Sequence, residues 1–326
     1  MIICRSPLRI SLGGGGTDLE SYFSKKGGYL IAGAIDKYVY TGIHRTFQNE
    51  ILLKYSSFEK RNNIEKIKHP IIKAVLEKYI PTIKNIEITS FADIPAGTGL
   101  GSSSSFTTAL INGLMYMNLD RLNCDELAEA ACEIEIDILN EPIGKQDQYI
   151  ASWGGIREFI FNKNGKVTNK LVYSNIDDYI KLKNNLLLVY TGKTRKASSI
   201  LSYQKNKSKD SNSNMIKNLD QVKKMGKEFS KFLKNKDYVS YGKLMNEHWQ
   251  IKKKRSKAMS NKHIDDLYSY GISNGANGGK VIGAGGGGFI LFQTDNPGSL
   301  MAQFAKKNIK AVDFNFVPTG TEIVSM

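Results

Sequence analysis

Pro95-Ala96-Gly97-Thr98-Gly99-Leu100-Gly101-Ser102-Ser103-Ser104-Ser105 is the stretch on which the reading of this chain turns. Its alternating glycines leave backbone N–H groups open to a ligand just where a helix begins. Phe106, Ala109, Leu110, Gly113, Leu114 and Met117 recur behind them at helical spacing, and the serines can cap the first turn. Free N–H groups at the positive end of a helix dipole make a seat for polyphosphate, and hydroxyls beside it can hold phosphate oxygens or a magnesium ion. A flexible turn before a capped helix needs only one Gly-Ser pair. It does not account for three spaced glycines, four serines in a row and the strand-like segment 86–90 ahead of them.

Two more glycine runs lie toward the ends of the chain. Gly13-Gly14-Gly15-Gly16 follows the β-like segment 2–10, and Gly283-Ala284-Gly285-Gly286-Gly287-Gly288 precedes the strand-like Phe289-Ile290-Leu291-Phe292. The last run satisfies GxGxxG, yet a strand follows it instead of a helix and too little chain remains for a dinucleotide-binding unit. A Walker P-loop is absent: neither Gly192-Lys193-Thr194 nor Gly279-Lys280 has the required upstream glycine together with the Ser or Thr. No HRD-type loop or DFG follows any glycine run, which excludes the protein-kinase pattern.

The coarse pattern is α+β. Segments 29–43 and 51–55 read as strands and 71–79 as a short helix; Asn123 with Glu126 opens a helix carried by Leu127, Ala131, Ile134 and Ile138 that stops before Pro142. Segment 186–190 reads as a strand opening the second half, and amphipathic helices are expected around 216–233 and 238–252, with the polar stretch 205–214 a mobile excursion ahead of them. For 326 residues two compact domains are expected, 1–180 and 181–326.

Composition narrows the function classes. With 41% hydrophobic and 24% charged residues the chain is an ordinary globular one, and no apolar run approaches the ~20 residues of a membrane span. The N-terminus runs straight into strand-like sequence, so a cytoplasmic protein without membrane attachment is expected. Cys4, Cys124 and Cys132 make neither a CxxC pair nor an even set, which argues against disulfides and zinc. The net charge of +15 is spread over many segments, and its densest run, Lys252-Lys253-Lys254-Arg255, has no aromatics for base stacking. It reads as a solvated basic face, with a smaller role in attracting phosphorylated substrates and none in nucleic-acid binding. The four histidines lack metal-ligand spacing, and Trp153 and Trp249 read as packing residues.

Three glycine motifs in this order resemble the GHMP kinases, the superfamily of galactokinase, homoserine kinase, mevalonate kinase and phosphomevalonate kinase. The match runs through Arg5-Ser6-Pro7-Leu8-Arg9-Ile10-Ser11-Leu12, Pro95 to Ser104 and Val281 to Phe289, and is weakest over 167–238. The resemblance implies an N-terminal domain like domain 2 of ribosomal protein S5, a ferredoxin-like C-terminal domain, ATP and Mg2+ as cofactors, and an active site in the cleft between the domains. Within the superfamily, Gly13-Gly14-Gly15-Gly16-Thr17-Asp18, Ile35-Asp36-Lys37-Tyr38-Val39 and Glu141-Pro142-Ile143-Gly144-Lys145-Gln146-Asp147-Gln148 look most like the heptose 7-phosphate kinases. These phosphorylate the anomeric hydroxyl of a sugar phosphate.

Residue by residue, the resemblance makes Asp147 the acceptor for the hydroxyl proton and Arg9 the cation that pairs with it. Pro95, Gly97, Gly99, Leu100, Gly101, Ser102, Ser103 and Ser104 become the ATP-phosphate loop, and Glu135, twelve residues before Asp147, becomes the magnesium carboxylate together with Ser103. Thr17 and Asp18 match sugar-binding positions. Gly15 and Gly16 stand where galactokinase carries a Glu-His pair, which opens space and argues for a sugar other than galactose. Gly285 and Gly286 of the third run are expected on the substrate side, and Lys193 and Arg195 are expected to hold the 7-phosphate. Other readings are an L-fucokinase-like or galactokinase-like enzyme, or a sugar sensor without catalysis; retention of both Arg9 and Asp147 speaks against the sensor.

Overall fold

The structure is a computed structural model in which residues 1–194, 198–210 and 213–325 are described. The first half builds one sheet from β1 (Ile2–Gly13), β2 (Gly28–His44), β3 (Ile51–Lys54), β4 (Phe58–Arg61), β5 (Ile86–Ala92), β6 (Ile156–Phe161) and β7 (Val167–Leu171). β2 is its spine: residues 28–33 pair with β6, residues 39–44 with β5, and β1 runs antiparallel along most of its length. Such length is supported by β-branched and aromatic residues on both faces of β2. The second half builds a smaller antiparallel sheet in the order β11-β8-β10-β9 from β8 (Leu186–Tyr190), β9 (Gly278–Val281), β10 (Phe289–Gln293) and β11 (Ala311–Val312).

Residue 180, where we propose the division between units, falls between β7 and β8, and the chain crosses back once. Its last strand, β12 (Glu322–Ser325), pairs with β1 at the edge of the first sheet.

The helices are α1 (Glu20–Lys26), α2 (Pro70–Tyr79), α3 (Ser102–Met117), α4 (Cys124–Cys132), α5 (Gln146–Trp153), α6 (Ile176–Lys183), α7 (Ser198–Lys207), α8 (Asn214–Lys234), α9 (Tyr238–Lys253), α10 (Lys262–Ser273) and α11 (Pro297–Ala305). α3 is buried along most of its length against β1 and β2, as its apolar spacing requires. α4 begins at the expected capping box, with Asn123 accepting from the Glu126 N–H and Glu126 accepting from the Asn123 N–H. Past Cys132 the expected helix widens into a π-helical stretch, Glu133–Ile138.

Two expectations are corrected here. The polar stretch 205–214 is not an excursion where it is described: Lys205–Lys207 finish α7, and Ser208 is buried with its hydroxyl 2.6 Å from that of Ser21. The apolar pattern is faint because Ile200 and Gln204 are the buried residues of α7. The basic run is not a solvated face either, since Lys252 and Arg255 are buried.

A single apolar core joins the two sheets, with Leu8, Ile10 and Leu100 from the first unit in one cluster with Phe229, Ile282 and Phe289 from the second. Polar contacts stitch the same seam: the Tyr241 hydroxyl donates to the Leu12 carbonyl at 3.0 Å. The second and third glycine runs touch backbone to backbone. A Cβ on Gly99 would sit 2.9 Å from the Ile282 carbonyl oxygen, and one on Gly288, where φ is +86°, would overlap the Thr98 carbonyl oxygen. The central loop is therefore held from behind by the loop between β9 and β10. Gly288→Ala should destabilise the protein by about 2–3 kcal/mol through strain at positive φ and loss of this contact. Urea unfolding checks it, and a wild-type midpoint would refute the wedge.

Candidate active site

β1 delivers Arg9 to the seam between the units. Its backbone N–H donates to the Leu100 carbonyl at 2.9 Å, and its Nη1 donates to the Gly99 carbonyl at 2.5 Å, so one residue fixes both strand and glycine loop. The rest of the guanidinium forks onto Asp147: Nε donates to Oδ1 at 2.7 Å and Nη2 to Oδ2 at 2.6 Å. Arg9 is 6% exposed and Asp147 24%, so the carboxylate is the member of the pair that faces open space. Asp147 sits in the first turn of α5, and Gln146 Nε2 donates to its Oδ1 at 2.7 Å, so its orientation is set by three hydrogen bonds.

Behind the loop lies a second carboxylate. Glu135 is 1% exposed, carried inward by the π-helical stretch, and burial pushes its carboxyl up to about 7 against the lowering effect of its hydrogen-bond donors. Ser103 Oγ donates to one of its oxygens at 2.5 Å and Gln148 Nε2 to the other at 2.8 Å. The Ser102 hydroxyl, at the first position of α3, is buried without a partner among the described residues. Gly97, Gly99 and Gly101 have φ of +79°, +82° and +83°, the left-handed geometry that opens alternate N–H groups toward a ligand. Hard oxygen donors, an orphan hydroxyl and a helix N-terminus together fit a magnesium-bound polyphosphate.

On the other side of Arg9 and Asp147 a cavity opens between the units. It is lined by Gly15, Gly16 and Asp18 from the first glycine run and by His248, Lys252, Arg255, Lys280 and Gly283 from the second unit. Asp18 accepts from the N–H groups of Gly16 at 3.0 Å and Gln146 at 3.2 Å. Burial raises its carboxyl above the usual carboxylate range, and the Asp147 charge adds to this. Arg255 crosses to the first glycine run, where Nη1 and Nη2 donate to the Gly15 carbonyl at 3.2 and 3.3 Å, and Asn218 Oδ1 accepts from its Nε at 2.8 Å. Gly16 makes this approach possible, because a Cβ there would meet Arg255 Nη1 at 2.6 Å and Gln204 Nε2 at 2.7 Å. The room expected above Gly16 is therefore occupied by the second unit's own side chains.

Of the residues expected from sequence, Arg9, Gly99, Gly101, Ser103, Glu135 and Asp147 converge, and Gly15, Gly16 and Asp18 line the adjoining cavity. Thr17 faces away, its hydroxyl donating to the Gly14 and Tyr29 carbonyls, so it shapes the loop. Leu100 and Ser104 are buried, while the Pro95 carbonyl accepts from Thr98 Oγ1 and closes the turn. Gly285 and Gly286 pack on Met259, with the Gly286 N–H donating to its carbonyl at 2.7 Å, and they do not line the cavity. Lys193 is exposed and contributes its carbonyl to Gly288; Arg195 lies outside the described residues.

Sequence reasoning missed His248, Lys252, Arg255 and Lys280. Part of the signal was available: His248 and Lys252 stand at i and i+4 on one face of α9, and Arg255 follows in the turn just past the end of that helix.

The family model of the GHMP kinases N terminal domain matches residues 65–155, and that of the GHMP kinases C terminal matches residues 229–311. A D-glycero-alpha-D-manno-heptose 7-phosphate kinase of Campylobacter jejuni is 29% identical over 98% of this chain and 97% of its own length. In fold, the chain is similar to a D-glycero-D-manno-heptose 1-phosphate kinase from Bacteroides thetaiotaomicron, with a TM-score of 0.83, 23% identity, and 100% and 99% of the two chains covered. It is also similar to Lactococcus lactis galactokinase complexed with galactose, with a TM-score of 0.76, 16% identity, and 99% and 95% covered. With both family domains in order and the two-unit fold that carries them, this chain belongs to the GHMP kinases, ATP-dependent kinases of small molecules.

Proposed function

We propose that the chain transfers the γ-phosphoryl group of ATP to the anomeric hydroxyl of D-glycero-D-manno-heptose 7-phosphate, giving the 1,7-bisphosphate used to make nucleotide-activated heptose. The observation that carries the reading is the Arg9–Asp147 fork, which stands between a glycine loop suited to polyphosphate and a cavity suited to a polar acceptor. The sugar is suggested by the relative from Campylobacter jejuni, which aligns along almost the whole chain.

In this reading ATP phosphates lie on the N–H groups of residues 97–103, at the N-terminus of α3. The acceptor hydroxyl approaches from the cavity, with its proton toward an Asp147 oxygen and its lone pair toward the γ-phosphorus. A P–O bond forms to the sugar as the bond to the β,γ-bridging oxygen breaks, ADP leaves, and the proton goes to the Asp147 carboxylate. An anomeric hydroxyl is more acidic than an ordinary alcohol, so a carboxylate is a sufficient base. Arg9 keeps that carboxylate in place and sets positive charge beside the transferring group.

Glu135 and Ser103 would hold Mg2+ on the protein side, and the partnerless Ser102 hydroxyl is placed to bind it or a phosphate oxygen. The ion supplies neutralisation of charge on the β- and γ-phosphates. No cluster of three or more His, Cys, Asp or Glu residues suited to a metal occurs among the described residues. No helix of the described residues is long and apolar enough to cross a membrane.

Two outcomes test the reading. Asp147→Asn should lower kcat by about 10²–10⁴-fold with the KM for ATP little changed, and a variant within tenfold of wild type would remove Asp147 from the proton path. ADP release should be measured with ATP and Mg2+ over heptose 7-phosphate, heptose 1-phosphate, unphosphorylated heptose, galactose, fucose and mevalonate. The expected result is preferred turnover of heptose 7-phosphate, with a new phosphorus NMR signal coupled to the anomeric proton. Turnover confined to an unphosphorylated substrate would overturn the assignment.

A further inference from the structure

The cavity beside Asp147 contains more positive charge than the chemistry of a sugar hydroxyl requires. Lys280 is 2% exposed, lines the cavity, and has no carboxylate within ion-pair distance among the described residues; its ammonium group lies 5.7 Å from the centre of the Phe229 ring. Arg255, also buried, has no carboxylate within ion-pair distance among them, although Asp18 acts on it through space, and it spends its guanidinium on the Gly15 carbonyl and Asn218. His248 is buried at the same wall, with neither ring nitrogen hydrogen-bonded among the described residues. A charge taken from water without a partner is costly, and so is a polar ring nitrogen. Burial and the charges of Arg9 and Arg255 bring the Lys280 ammonium down to about 7.

What would satisfy this wall is a dianion with several acceptor oxygens. A phosphate monoester meets an ammonium, a guanidinium edge and an imidazole N–H at once, whereas a carboxylate has one charge and two oxygens. The phosphate groups of ATP do not account for it, since none of residues 95–105 lines this cavity, while Gly15, Gly16 and Asp18 do.

We infer that Lys280, Arg255 and His248 form the subsite for the phosphate already carried by the acceptor, at the end of the cavity away from the hydroxyl that reacts. This rests on the acceptor being a sugar phosphate, as proposed above, and it moves the phosphate site from the exposed Lys193 to the buried seam between the units. Lys252 contributes indirectly: its Nζ donates to the carbonyls of Val281 at 3.1 Å and Gly283 at 2.5 Å, which fixes the strand end that presents Lys280. Selectivity for a phosphorylated acceptor then comes from residues of both halves of the chain, because Arg255 is aimed by Gly15.

Lys280→Met tests this, because it keeps the length of the side chain and removes its charge. The ratio of kcat/KM for heptose 7-phosphate over unphosphorylated heptose should fall on the order of 10- to 100-fold, with the KM for ATP close to wild type. In a phosphate-free melt the variant should be more heat-stable than wild type, and inorganic phosphate as probe should raise the melting temperature of wild type only. A wild-type enzyme that prefers the phosphorylated sugar and a variant that retains the preference would overturn the subsite while leaving the proposed reaction intact. A rise confined to the KM for ATP would assign Lys280 to the nucleotide and overturn it too. A wild-type enzyme indifferent to the sugar's phosphate would sink the proposed substrate and the subsite together.

Discussion

The fork from Arg9 to Asp147 is the constraint on which the site depends. One guanidinium ties the middle of β1, the carbonyl of Gly99 and the first turn of α5 into one rigid corner, and each of these comes from a different part of the chain. Bidentate geometry fixes the carboxylate in direction as well as position, which an ammonium group would not do. The glycine loop proposed to seat polyphosphate and the carboxylate proposed to accept the proton are thereby set in fixed relation before any ligand arrives, and such preorganisation is what phosphoryl transfer needs most from a protein.

The second unit supplies the other half of the arrangement. Its glycine run supports the central loop from behind through direct backbone contact between Gly99 and Ile282, and the turn that follows α9 sends Arg255 across to the first run. Side chains at those glycines would separate the loops. The glycine content that invites a nucleotide-binding reading thus has two physical origins: residues 97–101 open N–H groups to a ligand, whereas Gly16 and Gly288 allow two parts of the protein to approach each other.

How much of this was legible beforehand depends on how local each signal is. The capping box at Asn123 and the helical stripe behind Ser105 are set by neighbours in sequence, and both appear where expected. The convergence of Arg9, Glu135 and Asp147 was accessible through the resemblance to a family, since nothing in their spacing alone brings residues 138 positions apart into contact. The cation wall escaped for a different reason. Lys252 and Arg255 belong to a run that composition reads as surface, and only the packing of α9 against β9 turns one face of that run inward. Lys280 gives no local signal, because a lysine in a short strand is usually at an edge. Helix α7 was hidden by its polarity: it buries Gln204, which donates to the Gly16 carbonyl at 3.2 Å, and such a contact leaves no apolar period to read.

The most direct test of the central claim is a crystal structure of the enzyme with a non-hydrolysable ATP analogue, Mg2+ and heptose 7-phosphate. The account predicts the γ-phosphate at the N-terminus of α3 beside Arg9, with the anomeric oxygen between it and an Asp147 oxygen. A γ-phosphate remote from the Arg9–Asp147 pair, or a sugar whose anomeric oxygen points away from Asp147, would contradict it.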